Sequence, residues 1–289
     1  MKILVSIPAY NEEKDIARVI KEIKEAMRNY DYDIQVIDDG STDKTVEIAK
    51  RLNAKVYSHP TNLGLAEAFR TEIKEFLNSK ADILIHTDAD LQYPAKYMIE
   101  LIKKIEQGYD LVLGSRFLGK IERMPLIKRL GNKAFSIVLS KMLKLKITDA
   151  QTGFRAFNRK VASLPITSDH TYTQEQLIRV ARNKMRIIEI PIYGRETRAS
   201  KLMKNPFDYA IKAWINILRI YRDYQPLKFF GTFGTIFLGL GLVIGISLII
   251  RFLITGTVGH LPLTILTMLL ILLGIQIWLF GFLADMNRK

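Results

Sequence analysis

Residues 83–90 read ILIHTDAD, and this stretch decides the fold that the first half of the chain should adopt. Its apolar beginning is typical of a buried parallel strand, and Asp88 and Asp90 follow at the carboxyl end of that strand. Open α/β sheets bind their ligands at this end of the strands. Two carboxylates there suit Mg²⁺ or Mn²⁺ carrying substrate phosphates, although acidic residues are also common in ordinary turns.

Strand and helix patterns alternate around this stretch. The predicted strands are 2–7, 33–38, 54–58, 82–87 and 109–113, and the predicted helices cover 12–30, 63–77 and 94–106, with a further helix that ends near residue 52. This alternation predicts an α/β domain with a doubly wound, Rossmann-like sheet that is mostly parallel.

Polar residues follow several of the predicted strands, where the carboxyl ends of parallel strands meet at one edge. The clusters are PAYNEE at 8–13, DDGSTD at 38–43, NLG at 62–64 and DAD at 88–90. Each cluster alone fits turn or capping chemistry, but their joint placement indicates a ligand site. Neither common glycine-rich phosphate loop occurs in the sequence,. A nucleotide diphosphate at this edge would therefore depend on a metal ion held by Asp88 and Asp90.

Two long segments near the end of the chain, 229–250 and 261–284, contain no charged residue. Each exceeds the roughly 20 residues that span a hydrocarbon core, so they predict a membrane hairpin. Basic residues flank the hairpin outside its connecting loop: Arg219, Arg222 and Lys228 before it, and Arg288 and Lys289 after it. The positive-inside rule then predicts a multi-pass protein of the cell membrane with both termini and the large domain in the cytoplasm. We expect no signal peptide, because the chain enters a strand pattern at once.

The overall composition narrows the partners. The 289 residues carry a net charge of +14 and no cysteine, which excludes disulfides and cysteine-ligated zinc,. Nucleic acid is one partner for a basic chain. With two membrane segments attached, anionic lipid head groups and phosphorylated substrates are better partners, and we expect no nucleic acid. The four histidines are scattered, so a histidine metal site is not supported, and His86 is interpreted as a strand residue.

A basic helix is predicted over 126–145, with an apolar face formed by Leu130, Ala134, Ile137, Val138 and Met142. This face fits either the membrane surface or the protein core, and the sequence leaves both open. The glycine pair of the G-x-x-x-G pattern at 241–245 could pack the two membrane segments together or form a homo-oligomer.

Several motifs in a fixed order carry a family resemblance. They are IPAYNE at 7–12, DDGSTD at 38–43, NLG at 62–64, DADLQ at 88–92, GSR at 114–116, DAQTGFR at 149–155 and RETRASK at 195–201. This series resembles the inverting family-2 glycosyltransferases of the GT-A fold. The subgroup it is similar to comprises the dolichyl-phosphate mannose synthases and polyprenyl-phosphate glucosyltransferases. The resemblance implies a catalytic domain over 1–205, an amphipathic juxtamembrane helix over 206–228, and transmembrane helices over 229–254 and 261–285.

The same resemblance implies roles for individual residues. The nucleotide-sugar site would comprise Pro8, Tyr10, Glu12, Asp38, Asp39, Ser41, Asp88, Ala89 and Asp90. Asp88, Asp90 and Gln92 would hold Mg²⁺ or Mn²⁺, and Asp88, Asp90 and Arg116 would be catalytic. The acceptor phosphate would be bound by Arg116, Arg129, Arg195, Ser200 and Lys201. Arg198 stands where the family usually has glycine, and it either adds a phosphate contact or points into water.

The expected activity is transfer of one hexose from GDP-mannose or UDP-glucose to dolichyl or another polyprenyl phosphate, with inversion. A phosphate monoester is largely dianionic at neutral pH, so we expect no essential general base. The open alternatives are UDP-N-acetylglucosamine as donor, a processive polysaccharide synthase, and a non-catalytic membrane protein that binds nucleotide sugars. Glu175 is a further candidate acid in the predicted helix 172–182.

Overall fold

The computed structural model describes residues 1–167, 172–196, 215, 217–257 and 261–286. The chain divides into two compact units, Met1–Ala210 and Ile211–Lys289. Most of the predicted juxtamembrane helix at 206–228 lies outside the described residues, and the part at 217–224 is helical.

The first unit is built on a seven-stranded sheet. Its strands are β1 (Ile3–Ala9), β2 (Tyr32–Asp38), β3 (Lys55–Ser58), β4 (Ile83–His86), β5 (Leu111–Ile121), β6 (Arg155–Asn158) and β7 (Ile187–Gly194). Their spatial order is β3-β2-β1-β4-β6-β5-β7. All pairs are parallel except the two that β6 makes with β4 and β5. The predicted mostly parallel, Rossmann-like α/β fold is therefore confirmed.

Helices pack against this sheet through apolar stripes. They are α1 (Ile16–Met27), α2 (Thr45–Arg51), α3 (Leu65–Asn78), α4 (Met98–Glu106), α5 (Leu126–Leu143), α6 (Arg159–Ala162) and α7 (Tyr172–Arg182), with a 3-10 turn at Ala95–Tyr97 before α4. In α1 the buried positions recur at intervals of three and four residues, as one face of a helix requires,. The core below them includes Ile7, Ile20 and Ile85, all fully buried.

The sequence pattern missed the last two strands, β6 and β7. β6 has only four residues, and its first residue is the buried Arg155 rather than an apolar side chain. β7 lies at the edge of the sheet and contains Pro191, which an edge strand tolerates because it needs fewer main-chain donors,. Both strands therefore lack the apolar run by which the central strands were predicted.

Helix α5 turns a different face to the protein from the one that its apolar pattern suggested. Its buried residues are Asn132, Phe135, Ser136 and Leu139. Two of these are polar, and Ser136 Oγ accepts the main-chain N–H of Ala150 at 3.0 Å. The predicted apolar face is instead largely exposed: Leu130, Ala134 and Ile137 face solvent, and Val138 and Met142 are half-buried. The core-facing alternative for that stripe is therefore wrong.

The second unit contains α8 (Pro226–Thr255) and α9 (Leu261–Met286). Both are long and apolar enough to span a membrane, with mean hydropathies of 2.5 and 2.4. Glycines bring the two helices together, because a methyl group added at Gly241 would lie 2.8 Å from Ile271 Cγ1, and one added at Gly274 would lie 2.7 Å from the Leu238 nitrogen. Both glycines of the 241–245 pattern thus face the partner helix of the same hairpin, since a methyl group added at Gly245 would lie 3.2 Å from Thr267 Cγ2. This supports close packing of the two spans.

Candidate active site

The loops after β1 and β2 are joined into one surface by main-chain hydrogen bonds. The Asn11 N–H donates to Ser41 Oγ at 2.9 Å, and the Thr42 N–H donates back to Asn11 Oδ1 at 2.9 Å. One residue further, the Glu12 N–H donates to Thr45 Oγ1 at 2.8 Å. Asn11 has a φ of +53°, which asparagine tolerates better than most residues,. The predicted nucleotide residues Glu12 and Ser41 are therefore neighbours on the carboxyl edge of the sheet.

The two aspartates that follow β2 have different surroundings. Asp38 is buried, and its Oδ1 accepts the Ser41 N–H at 3.1 Å. Asp39 accepts the main-chain N–H groups of Leu63 and Gly64, each at 2.9 Å. His59 Nδ1 also lies 2.8 Å from Asp39 Oδ1. Asp39 thus fixes the loop at 62–64, a structural role that the sequence did not predict.

Two other predicted nucleotide residues lie on and just after β1. Pro8 is buried in the strand, paired with Ile37 of β2. Tyr10 is exposed at the end of the same strand, where its ring is accessible to a ligand. Both therefore belong to the edge that carries Asp88 and Asp90.

Asp88 and Asp90 lie directly after β4 at the same edge. A methyl group added at Gly153 would lie 2.9 Å from both carboxylate oxygens of Asp88, so glycine is needed where that loop passes the carboxylate. The Gln92 N–H donates to Asp90 Oδ1 at 3.0 Å. Burial, and then the neighbouring Asp88 charge, raise the pKa of Asp90 to about 6,. Two carboxylates that repel each other in a partly buried position favour a cation between them.

Asp88 and Asp90 are the oxygen ligands that this edge of the sheet offers to a metal ion. The described part of the chain contains no group of three or more His, Cys, Asp or Glu side chains placed to hold a metal. Two carboxylates still fit Mg²⁺ or Mn²⁺, because such ions are commonly held by one or two carboxylates, with phosphate oxygens and water completing the shell. The side chain of Gln92, which the sequence predicts as a further metal ligand, contacts a cation instead: its Oε1 lies 3.4 Å from Arg116 Nη1.

Arg116 on β5 forms a buried, two-pronged ion pair with Asp149. The Arg116 Nε–Asp149 Oδ2 distance is 2.7 Å, and the Arg116 Nη2–Asp149 Oδ1 distance is 2.9 Å. The Arg116 main-chain N–H also donates to Asp149 Oδ2 at 3.1 Å. The Arg116 guanidinium lies 5.9 Å from the ring centre of Tyr93. This arrangement fixes a permanent positive charge in the site.

Lys128 at the start of α5 was missed as a site residue. It is half-buried, and its pKa is lowered, first by burial and then by the positive charge of Arg116. Asp90 and Asp88 act on the same ammonium group in the opposite direction. Its neighbour Arg129, which the sequence favoured for the acceptor phosphate, is exposed. The sequence shows both cations, but only the rotation of α5 shows which one faces the aspartates.

Arg195, another predicted phosphate ligand, already has contacts within the protein. Arg195 Nη1 lies 3.0 Å from Glu22 Oε1 and 3.1 Å from the Leu91 main-chain oxygen. Its guanidinium is thus already used to join the end of β7 to α1. Ser200, Lys201 and Arg198 lie outside the described residues. Glu175 is buried in α7, where it accepts from Thr167 and Arg179, so it serves as a local anchor.

Comparison with known families identifies the class of enzyme to which this fold belongs. The profile of the family described as "Glycosyl transferase family 2" matches residues 4–163, more than half of the chain. The chain belongs to this family and is a glycosyltransferase.

Individual relatives extend the match along the chain. A dolichyl-phosphate hexose transferase of Haloferax volcanii is 34% identical over 206 residues, covering 70% of this chain and 86% of that protein. A UDP-N-acetylglucosamine–dolichyl-phosphate N-acetylglucosaminyltransferase of Methanococcus voltae is 34% identical over 215 residues, covering 66% of this chain and 84% of that protein.

A solved structure confirms the fold. Glucosyl-3-phosphoglycerate synthase of Mycobacterium tuberculosis, in complex with Mn²⁺, UDP and glucosyl-3-phosphoglycerate, superposes with a TM-score of 0.61 at 23% identity. The match covers 76% of this chain and 78% of that one. The predicted GT-A architecture is therefore confirmed.

Proposed function

We propose that this protein transfers a single hexose from a nucleotide sugar to a polyprenyl or dolichyl phosphate at the cytoplasmic face of the cell membrane, with inversion. The observation that carries the proposal is that two carboxylates and two cationic side chains occur together in one site. The negative charge of Asp88 acts on both Arg116 and Lys128, and that of Asp90 acts on Lys128, so the two carboxylates and the two cations share one site. A metal-bound diphosphate fits the first pair, and a second phosphate fits the other.

The cationic pair supports a phosphate acceptor. Asp149 compensates the charge of Arg116, and Lys128 is partly desolvated within reach of the Arg116 charge. An incoming phosphate dianion would relieve the mutual repulsion of these two cations. Fixed charges of this kind lower the barrier for bringing two anions together and often contribute the largest part of catalysis.

The reaction can be written without a proton transfer. An oxygen of the acceptor phosphate attacks the anomeric carbon, the bond from that carbon to the nucleotide diphosphate breaks, and the diphosphate leaves with the bonding electron pair. Asp88 and Asp90 would hold Mg²⁺ or Mn²⁺, which when bound neutralises the leaving diphosphate. Arg116 and Lys128 would orient the attacking oxygen. An α-linked donor would then give a β-linked lipid phosphosugar.

The donor sugar is proposed as a hexose, with GDP-mannose and UDP-glucose as the first candidates. The Haloferax volcanii relative is named a hexose transferase, which supports this choice. The Methanococcus voltae relative uses UDP-N-acetylglucosamine by name, and that donor is the second candidate. Dolichyl phosphate appears in both names and supports the acceptor.

Membrane placement is supported by the two long apolar helices and by the basic residues outside their connection,. Helix α5 adds a second argument, since Leu126 is 73% exposed and Leu130 is 67% exposed. No acidic residue occurs between positions 123 and 148, whereas seven lysines and arginines do. An apolar stripe flanked by cations suits the surface of an anionic bilayer. We propose that α5 rests there, with Lys128 on its first turn close to the lipid phosphate.

The experiment is a product analysis with the full chain in nanodiscs that contain polyprenyl phosphate and Mn²⁺. Each nucleotide sugar is supplied alone, and lipid products are measured by mass spectrometry. The proposal predicts one added sugar on the lipid phosphate for one of the three donors. A growing glycan would show a processive synthase, and the absence of product with every donor would favour a binding protein. Protease accessibility in sealed vesicles tests the orientation, and a domain outside the cytoplasmic face would overturn it.

A further inference from the structure

Behind the carboxylate pair, Glu72 of α3, His86 of β4 and Asp88 form a line of side chains. We propose that Glu72 and His86 are positioning residues that hold the carboxylate of Asp88 in the orientation needed for the metal-bound diphosphate. The inference deepens the proposed function and rests on it, because the role of Asp88 is part of that proposal.

The inner contact of this line joins Glu72 to His86. Both side chains are fully buried, and His86 Nδ1 lies 2.8 Å and 3.0 Å from the two carboxylate oxygens of Glu72. A carboxylate only accepts, so His86 Nδ1 donates. Phe69 packs edge-on against the imidazole with a 5.5 Å ring separation. The ring is therefore held by a two-pronged contact on one side and by an aromatic edge on another.

The outer contact joins His86 to Asp88. Asp88 follows His86 by two positions, just beyond the end of β4. His86 Nε2 lies 3.7 Å from Asp88 Oδ1, within ion-pair distance, and it is a buried nitrogen with no hydrogen-bond partner. This buried ring nitrogen therefore has one carboxylate within reach, that of Asp88.

The nearby cation Arg155 does not replace His86 in this role. Its guanidinium donates to the main-chain oxygens of Thr152 and Thr173 and, at 3.0 Å, to Gln176 Oε1. Among the described residues, His86 is the basic side chain that lies within 4 Å of Asp88. Gly153 also passes close to both oxygens of the same carboxylate. Asp88 thus lies against His86 and Gly153, and the exposed part of its side chain remains for a ligand.

The consequence concerns affinity for the metal–nucleotide pair. Groups that hold a metal-binding carboxylate from behind typically change metal affinity by about 10- to 100-fold when removed. The line Glu72–His86–Asp88 has that placement. Its loss should therefore weaken Mn²⁺-dependent nucleotide binding while leaving the fold intact.

The test uses the double variant Glu72→Leu/His86→Leu of the full chain in nanodiscs. Removing both members avoids an unpaired buried charge, because replacing a buried ion pair with apolar side chains is often neutral for stability. Binding of UDP and GDP is measured by calorimetry with and without MnCl₂, alongside the thermal unfolding midpoint. We expect Mn²⁺-dependent binding about tenfold weaker or more, at an unfolding midpoint close to that of the parent.

The matched control is Gln35→Leu. Gln35 is as deeply buried, and its hydrogen bonds go to Ser6 Oγ and to the main-chain oxygen of Glu72, not to the side chains of Glu72, His86 or Asp88. This variant should lower the unfolding midpoint but keep the parental Mn²⁺-dependent affinity. Equal loss of affinity in the control would show that the effect is general destabilisation, and it would overturn the positioning role of Glu72 and His86.

The remaining outcomes separate the positioning role of Glu72 and His86 from the proposed function. A folded double variant that binds within twofold of the parent overturns the positioning role alone. If the double variant does not fold, Glu72→Gln supplies the test, because it keeps an acceptor for His86 Nδ1 but removes the charge. Unchanged affinity in that variant also overturns the positioning role. A parent that binds neither nucleotide in a Mn²⁺-dependent manner overturns both the metal-dependent function and the positioning role.

Discussion

The two sides of the site are built in different ways. On the proposed donor side, formed by the loops after β1, β2 and β4, side chains such as Ser41 and Asp39 accept main-chain N–H groups from neighbouring loops. On the proposed acceptor side, Arg116 is held by Asp149, which lies 33 residues further along the chain, and Lys128 is subject to the charges of Arg116, Asp90 and Asp88. The proposed donor side is thus shaped mainly by its backbone, whereas the proposed acceptor side depends on charged side chains. Substitutions should therefore act differently on the two sides.

The largest effect is expected on the donor side, at Asp90. Asp90→Ala should lower sugar transfer by about 10³-fold or more, because the leaving diphosphate loses its charge compensation. The variant should stay folded, since ionised Asp90 is disfavoured by burial and by Asp88. Transfer rates and unfolding midpoints measured together check this. Undiminished transfer to the lipid phosphate would show that the carboxylate pair is not needed.

On the acceptor side, Arg116→Met should cost both activity and stability. Transfer should fall by about 10²-fold to 10³-fold, and the unpaired buried Asp149 should lower the free energy of unfolding by about 3–5 kcal/mol. The double variant Arg116→Met/Asp149→Leu should regain stability but not activity. Recovery of activity in the double variant would mean that Arg116 acts only through the fold. Denaturant unfolding and transfer assays distinguish the two results.

A smaller and more specific effect is expected from neighbouring residues of α5. Lys128→Met should raise the KM for polyprenyl phosphate by about tenfold, the loss of one phosphate contact. Arg129→Met removes the same charge from the same turn, but on the exposed side, and should change that KM by less than about twofold. The reverse order would show that α5 meets the acceptor with its other face.

The pH dependence of stability and of ligand binding should report on the carboxylate of Asp90. The pKa of Asp90 is raised to about 6 in the folded protein, so the folded state holds this proton more tightly than the unfolded chain does. Its contribution to stability is therefore present at low pH and is lost as the pH rises through 6. Binding of Mn²⁺ with UDP needs the ionised form of Asp90. The rise in unfolding midpoint on adding Mn²⁺ and UDP should therefore grow by severalfold from pH 5 to pH 7. An Asp90→Asn variant should lose that growth.

The contrast between the two sides also explains how far the sequence could predict the molecule. The clusters at 8–13, 38–43 and 88–90 follow strands directly, so their meeting at one edge follows from the parallel sheet alone. Lys128 could not be distinguished from Arg129, because the face that α5 buries includes Asn132 and Ser136 rather than its most apolar stripe.

Contacts between segments that are distant in the sequence could not be predicted from it either. Glu72 meets His86 only because α3 packs on β4, and Asp149 meets Arg116 across a 33-residue separation. Strands β6 and β7 were not predicted because their local patterns are atypical: β6 begins with a buried arginine, and β7 contains a proline. Local patterns predict single elements and their ends, but not the partners that a charged side chain finds after folding.

The central claim is that Asp88 and Asp90 together bind a divalent cation that carries the nucleotide diphosphate. The most direct measurement is the anomalous scattering of Mn²⁺ in crystals of the full chain grown with MnCl₂ and UDP. We predict one peak at about 2.1 Å from a carboxylate oxygen of each aspartate, with diphosphate oxygens completing the shell. A manganese peak bound elsewhere, or ordered UDP at this edge of the sheet without manganese beside these carboxylates, would contradict the account.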